Sequence, residues 1–81
     1  MRVIAQDGRR SIDFEGATIG IVTPEHLDGY DIVAVLPGVP EIVRLGNYDL
    51  SRADEVFNEI HEEYRKEWYS QDRVIYCMPE E

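Results

Sequence analysis

The sequence predicts an α+β fold, in which an antiparallel sheet of about five strands carries one amphipathic helix on one of its faces. The first fifty residues alternate short apolar segments with glycine and proline turns, a pattern typical of strands. Ser51 to Trp68 instead places apolar side chains three and four positions apart, as in a helix that covers a sheet. A last apolar segment follows the helix. The expected element order is therefore β-β-β-β-β-α-β.

The first two strands are expected to form a hairpin. Val3 to Gln6 is a short strand, and Asp7-Gly8 offers turn residues that tolerate a positive φ. Ser11 to Phe14 then alternates, with Ile12 and Phe14 on the same side. This alternation predicts that one face of the hairpin is buried.

Two further strands are predicted before the middle of the chain. Thr18 to Thr23 is rich in β-branched residues and is ended by Pro24, which cannot donate to a strand ladder. The turn residues Asp28 to Asp31 lead into Ile32 to Leu36, which is apolar at every position. Such a run is typical of a strand that is buried on both faces, so we expect it to be central.

The fifth strand is the weakest prediction of the five. Pro37 to Pro40 forms a turn, and Glu41 to Leu45 alternates only weakly. Gly46 and Asn47 are expected to end this strand.

The helix combines an apolar stripe with a capping signal. Ser51 and Asp54 resemble a capping box with aspartate in place of the usual glutamate, and Asp49 is the alternative cap. The stripe consists of Ala53, Val56, Phe57, Ile60, Tyr64 and Trp68. Trp68 and its neighbour Tyr69 are interpreted as the edge of the core, and the alternative of a binding hot spot gains weight if the chain is a dimer.

The last strand contains the only cysteine of the chain. Val74 to Met78 is apolar and is ended by Pro79. Cys77 is expected to be a small buried side chain, since cysteines within strands usually pack as hydrophobes. One cysteine excludes an internal disulfide and a cysteine-rich zinc site.

Size and charge restrict the classes of function. The 81 residues correspond to one domain, residues 1–81, and their formal charge of −9 disfavours direct binding of nucleic acid. The same charge favours a basic partner, although acidity also keeps small proteins dissolved. No apolar run approaches the length of a membrane span, and Met1 to Gly8 turns polar too early for a signal peptide. We therefore expect a cytoplasmic protein that is not bound to a membrane.

One helix shields only one face of a sheet, so the second face needs another cover. Ile32 to Leu36 is apolar on both sides, which predicts a homodimer or higher homo-oligomer formed through the sheet or its edge strands. In a monomer, the loops Glu25 to Tyr30 and Pro37 to Pro40 would have to cover that face.

The polar side of the helix holds the candidate site residues. Three carboxylates, Glu55, Glu59 and Glu62, fall opposite the apolar stripe. A second row follows the spacing i, i+4, i+7 and i+11 along one flank, and it consists of Asp54, Asn58, His61 and Arg65. We expect these seven residues to contact a protein partner, although such rows also border most amphipathic helices as ordinary solvated side chains.

Catalytic, metal and cofactor sites are not predicted. The other histidine, His26, lies in the loop after Pro24, and the residues around His61 do not form a helical zinc motif. The chain contains no recognisable set of nucleophile, base and orienting group, so we expect a protein that is not an enzyme.

Three segments resemble small proteins encoded by phages and prophages of Gram-positive bacteria. The run Met1 to Gly8, MRVIAQDG, resembles the opening of that group. Leu45 to Ala53 looks like its helix start, and Tyr76 to Glu80 looks like its closing segment. The resemblance implies a phage accessory protein, and small phage proteins of this kind are often antagonists of host defence.

Two modes of action follow from that resemblance. Some such proteins bind a host defence nuclease or effector through acidic groups, whereas others are oligomeric sponges that sequester a signalling nucleotide. The acidic balance favours protein binding, because the cations that a nucleotide would need are scattered in sequence: Arg44, Arg52, Arg65 and Arg73. A homo-oligomeric interaction domain without a role in defence is the remaining alternative.

Overall fold

A computed structural model describes residues 1–25, 27–70 and 73–81, so His26 lies outside the described residues. Within them the α+β class and the order β-β-β-β-β-α-β are confirmed. The strands are β1 (Arg2–Ile4), β2 (Ser11–Asp13), β3 (Thr18–Val22), β4 (Tyr30–Val35), β5 (Ile42–Tyr48) and β6 (Ile75–Cys77), and the helix is α1 (Leu50–Ser70).

The strands belong to two three-stranded sheets rather than to the single sheet expected. Sheet A has the order β2-β1-β6, and sheet B has the order β3-β4-β5. β1 and β2 form the predicted antiparallel hairpin, with Val3 opposite Ile12. β6 pairs with β1 in parallel, with Val3 opposite Tyr76. A parallel partner needs a long crossover connection, and the chain between β1 and β6 includes α1.

Sheet B is antiparallel, and β4 is its central strand as predicted. Gly46 and Asn47 were expected to end the preceding strand, but β5 continues through them to Tyr48, so that expectation was wrong. Ile32 pairs with Gly46 and Val33 with Arg44, which makes Leu45 an extra residue in a β-bulge. A Cβ at Gly46 would lie 2.8 Å from the ring of Tyr48. Glycine is therefore required here by the close approach of the tyrosine ring.

Gln6 joins the two sheets at the bulge. Its backbone N–H donates to the carbonyl of Leu45 at 2.7 Å. Its side-chain amide accepts from the N–H of Asn47 at 2.9 Å and donates to the carbonyl of the same residue at 3.3 Å. The amide nitrogen also donates to the carbonyl of Glu80 at 2.7 Å. One side chain thus connects the end of β1, the edge of β5 and the C-terminal segment.

A continuous core lies between α1 and the two sheets. Ala53, Val56 and Ile60 of the predicted stripe are fully buried. Sheets A and B contribute Val3, Ile12, Ile32, Ala34 and Leu45 to the same cluster. The helix contacts all three strands of sheet B.

Trp68 belongs to the predicted stripe, yet it is 70% exposed. Its placement at the edge of the core was wrong because the sheets cover only a narrow side of α1. A helix has about 3.6 residues per turn, so Trp68 lies roughly 80° around the helix from the buried Ile60. Glu67 bonds to the amino group of the core residue Met1, so the last turns of α1 still contact the core on their covered side.

Two expectations about strand burial were also wrong. Ile32 and Ala34 are fully buried against α1, but Val35 is 47% exposed, so β4 is not covered on both faces. Cys77 is exposed as well. It pairs with Ile4 and lies next to half-buried Tyr76 in β6, so strand alternation turns it to the outer face of sheet A.

The helix begins at Leu50 and is capped by Asp49. A carboxylate oxygen of Asp49 accepts the backbone N–H of Arg52 at 2.8 Å. This is the hydrogen bond that an N-cap residue makes to the third residue of a helix. Ser51 already lies inside the first turn.

Replacing the cap should destabilise the protein measurably. We expect Asp49→Ala to lower the free energy of unfolding by about 1 kcal/mol, because the Arg52 N–H loses its acceptor. Ser51→Ala is the matched control and should change it by less than about 0.5 kcal/mol. Urea unfolding followed by circular dichroism measures both values. A larger loss for Ser51→Ala than for Asp49→Ala would contradict this assignment of the cap.

Removal of the Gln6 side-chain amide should lower the free energy of unfolding by more than removal of an exposed side-chain amide. We expect Gln6→Ala to lower the free energy of unfolding by about 1 to 3 kcal/mol, since it leaves polar backbone groups at the junction of the sheets without partners. Asn58→Ala removes an amide from an exposed position on α1 and serves as the comparison in the same urea experiment. Equal effects of the two substitutions would show that Gln6 does not join the sheets.

Candidate partner-binding surface

The side of α1 that faces away from the sheets is solvent-exposed along its length. We call it the outer surface of α1. It consists of Asp54, Glu55, Asn58, His61, Glu62, Arg65, Trp68 and Tyr69, all of which are exposed. Six of the seven predicted site residues lie on it, and the seventh, Glu59, has a different environment.

The acidic residues of this surface are partly neutralised by neighbouring arginines. Glu55 forms an ion pair with Arg52 at 2.9 Å, and Glu62 forms one with Arg65 at 3.7 Å. The hydrogen bond to Glu55 raises the pKa of the Arg52 guanidinium above its usual value. Asp54 has no such ion pair among the described residues. The surface is consequently less negative than a count of its carboxylates suggests.

Glu59 contributes to the fold as well as to the surface. Its carboxylate accepts the Tyr76 hydroxyl at 2.7 Å and lies 3.7 Å from the Arg52 guanidinium. Arg52 Nε also donates to the carbonyl of Glu81 at 2.9 Å, and the Tyr48 hydroxyl donates to that of Pro79 at 2.6 Å. These contacts hold β6 and the C-terminal segment against the start of α1. The sequence pattern could not show this role, because it depends on where β6 pairs.

Burial makes both tyrosine hydroxyls of this contact harder to deprotonate. Burial raises the pKa of Tyr48 to about 12, and the charge of Arg52 partly opposes that rise. Burial also raises the pKa of Tyr76, and the hydrogen bond to Glu59 raises it further. Both hydroxyls therefore stay protonated, and act as donors, up to a higher pH than the hydroxyl of a free tyrosine.

His61 is held by an aromatic cluster along one flank of α1. Its Nδ1 lies 2.9 Å from the carbonyl oxygen of Phe57, and its ring lies 4.7 Å from the Phe57 ring. Phe14 meets His61 edge-on at 6.1 Å and Tyr64 at 4.8 Å. The rings of Tyr64 and Trp68 are 6.4 Å apart. The cluster therefore leads from the buried Phe14 to the exposed indole.

Trp68 and Tyr69 were missed as surface residues by the sequence pattern. Their exposed fractions are 70% and 84%. Arg65 lies one helical turn before Tyr69, at the i, i+4 spacing that brings side chains together. Tryptophan, tyrosine and arginine are the residues most enriched at the energetic centres of protein interfaces. A helical wheel could have placed both aromatic residues away from the buried stripe, since Trp68 and Tyr69 lie roughly 80° and 180° around the helix from Ile60.

A groove of about 480 Å³ lies between the last turns of α1 and sheet A. The amino group of Met1 forms an ion pair there with Glu67 at 2.7 Å, and the N–H of Val74 donates to the same carboxylate at 2.8 Å. These hydrogen bonds lower the pKa of Glu67. The other charged residues that line the groove are Arg2, Asp13, Glu15 and Arg73. With this mixture of charges, the groove offers no clear positive excess to an anion.

The described residues contain no group of three or more histidine, cysteine, aspartate or glutamate side chains that could hold a metal ion. Within the same part of the chain, no helix is long and apolar enough to cross a membrane.

Comparisons with known proteins do not assign the chain to a family. No family model matches the sequence, no curated protein matches it, and no solved structure matches its fold. The surfaces of the molecule are therefore the basis for any functional assignment.

The tyrosine contacts predict a loss of stability at alkaline pH. The pKa of Tyr48 is about 12 in the folded protein and about 10 in an unfolded chain. Its contribution is complete below pH 10 and is lost as the pH rises through 12, because only the unfolded state releases the proton easily. We expect Tyr48→Phe to be less stable by about 1 kcal/mol at neutral pH, where it lacks the hydroxyl donor.

The decisive measurement is the free energy of unfolding in urea from pH 8 to pH 12. The wild-type curve should fall more steeply than that of Tyr48→Phe above pH 10. Tyr69→Phe removes a hydroxyl from a side chain that is 84% exposed, and it should follow the wild-type curve. Parallel curves for all three proteins would contradict the assigned environment of Tyr48.

Proposed function

We propose that this protein is a non-enzymatic binding protein that acts on another protein through the outer surface of α1. The observation that carries the proposal is the exposure of Trp68 and Tyr69 beside the predicted polar row. Tryptophan and tyrosine are among the residues most enriched at the energetic centres of protein interfaces. The polar row supplies hydrogen-bonding and charged groups around these two aromatic side chains.

The charge of the surface suggests the chemistry of the partner. Asp54, Glu55 and Glu62 lie on the same surface of a protein whose formal charge is −9, and of the three only Asp54 has no ion pair among the described residues. A basic partner would be attracted at long range, while the two aromatic side chains would provide most of the affinity after contact. This division predicts that salt slows association more than it speeds dissociation.

The resemblance of three sequence segments to phage and prophage proteins suggests the biological setting. In that setting, the partner is a host defence protein of the cytoplasm, such as a nuclease or effector with a basic surface, and the protein is its antagonist. The acidic outer surface of α1 is compatible with occupation of a nucleic-acid-binding groove.

A nucleotide sponge receives less support from the described residues. Arg52 and Arg65 are paired with carboxylates of α1, and Arg44 lies 3.9 Å from Asp31. Arg73 lines the groove of mixed charge. Cations that are already paired are poorly placed to bind phosphate, so protein binding remains the better proposal.

Two double variants test the outer surface of α1. Trp68→Ala/Tyr69→Ala removes the aromatic side chains, and Asp54→Lys/Glu62→Lys reverses charge without changing Glu59. The control is Glu41→Lys/Glu80→Lys, which makes the same change in charge at two exposed positions that do not belong to α1. All six positions are exposed, so urea unfolding should show changes within about 0.5 kcal/mol for most of the substitutions.

The assay is affinity capture from a lysate of Gram-positive bacteria, followed by mass spectrometry and measurement of the dissociation constant for the captured protein. We expect one partner to bind the wild type and the control alike, with at least tenfold weaker binding to both α1 variants. Expression of the wild type should also restore phage plating on a host that carries the captured defence protein. Unchanged affinity in both α1 variants would refute the proposed site.

A further inference from the structure

The face of sheet B opposite α1 is a second, partly exposed surface. We call it the open face. Strand registry places Val22, Asp31, Val33, Val35, Ile42 and Arg44 on it, since Ile32 and Ala34 of β4 face the helix. Val35 and Ile42 are direct cross-strand neighbours.

Apolar side chains make up much of the exposed part of this face. Val22 is 45% exposed, Val35 is 47% exposed and Ile42 is 65% exposed. Val35 and Ile42 form one apolar pair, whereas Val22 lies at the other end of β3. Thr18 and Arg44 are also exposed on this face. The turn at residues 36–41 connects β4 to β5, yet it leaves both Val35 and Ile42 accessible.

The open face also lacks the net charge of the rest of the protein. Its charged side chains are Arg44 and Asp31, which lie 3.9 Å apart. The carboxylate of Asp31 also accepts a hydrogen bond from the Asn47 amide at 2.9 Å. Two molecules of charge −9 repel each other strongly when acidic surfaces meet, but this face contributes no such local repulsion.

We propose that the open face binds a second copy of this chain. Packing of the two faces around a two-fold axis would bring Val35 and Ile42 of each copy against the other sheet. The sheets would lie about 10 Å apart, as in a β-sandwich. Both α1 helices would then form the outer layers of the dimer.

The area of the open face limits the affinity of the dimer. Three strands of about five residues cover roughly 250 Å² of sheet, well below the roughly 800 Å² per partner of a stable interface. The dimer is therefore concentration-dependent, with dissociation in the micromolar range or weaker. Salt strengthens it, because screening reduces the repulsion between two acidic molecules.

The dimer does not rest on the proposed function, but it would extend it. Both outer surfaces of α1 point away from the shared interface, so each remains accessible to a partner. A dimeric protein could bind two partner molecules or two sites on one assembly, which raises avidity without new contacts.

Sedimentation velocity from about 5 to 500 µM protein, in low and high sodium chloride, tests the proposal. The variant Val35→Lys/Ile42→Lys places charge on the open face. Trp68→Lys/Tyr69→Lys is the matched control, because it introduces the same charge on the opposite side of the molecule. Val35→Thr/Ile42→Thr keeps β-branched side chains and serves if the lysine variant is unfolded.

We expect the wild type and the control to shift from monomer to dimer with concentration, at lower concentration in high salt. The lysine variant should stay monomeric, and the threonine variant should dimerise at least fivefold more weakly. A wild type that is monomeric at every concentration and salt would overturn the proposal, and so would a dimer lost only in Trp68→Lys/Tyr69→Lys. If the Val35→Lys/Ile42→Lys variant is monomeric and still binds the partner, then dimer formation and partner binding through α1 are independent of each other.

Discussion

The fold depends on the burial of one narrow stripe of α1, formed by Ala53, Val56 and Ile60, between two small sheets. Each sheet has only three described strands, and sheets of this size need a packed face to be stable. The described part of the chain supplies one helix for that purpose. Loss of the stripe would uncover sheet A and sheet B together, so the helix and both sheets are expected to unfold as a unit.

The connections between the sheets make this arrangement specific. Gln6 bonds to the backbone of β5 and to Glu80, while Glu59 and Arg52 hold the strand and segment that follow α1. β1 and β6 are neighbours although they lie near opposite ends of the sequence. These contacts are distant in sequence, which places the completion of sheet A late in folding if local hairpins form first.

The same geometry leaves two surfaces of different chemistry on opposite sides of the molecule. The outer surface of α1 combines carboxylates with the exposed rings of Trp68 and Tyr69, whereas the open face of sheet B presents Val35 and Ile42 beside a neutral charge pair. We propose a basic protein as the partner of the first surface and a second copy of the chain as the partner of the second. Their separation allows both contacts in one assembly.

Local sequence patterns determined the element order, the hairpin of β1 and β2, the central position of β4 and the buried stripe of α1. Hydrophobic periodicity reports these features because it reflects the faces of individual elements. The same periodicity located the exposed row of Asp54, Asn58, His61 and Arg65, although it could not assign a partner to it.

The environments of three residues depend on the tertiary structure and could not be predicted from local sequence patterns. Gly46 resembles a strand breaker in the sequence, but the ring of Tyr48 requires a glycine inside β5. Cys77 is exposed because of its register with β1, and Trp68 is exposed because the sheets cover only the side of α1 that carries Ala53, Val56 and Ile60. The physical reason is common to all three residues: burial depends on which element lies opposite a side chain, and that element is distant in sequence.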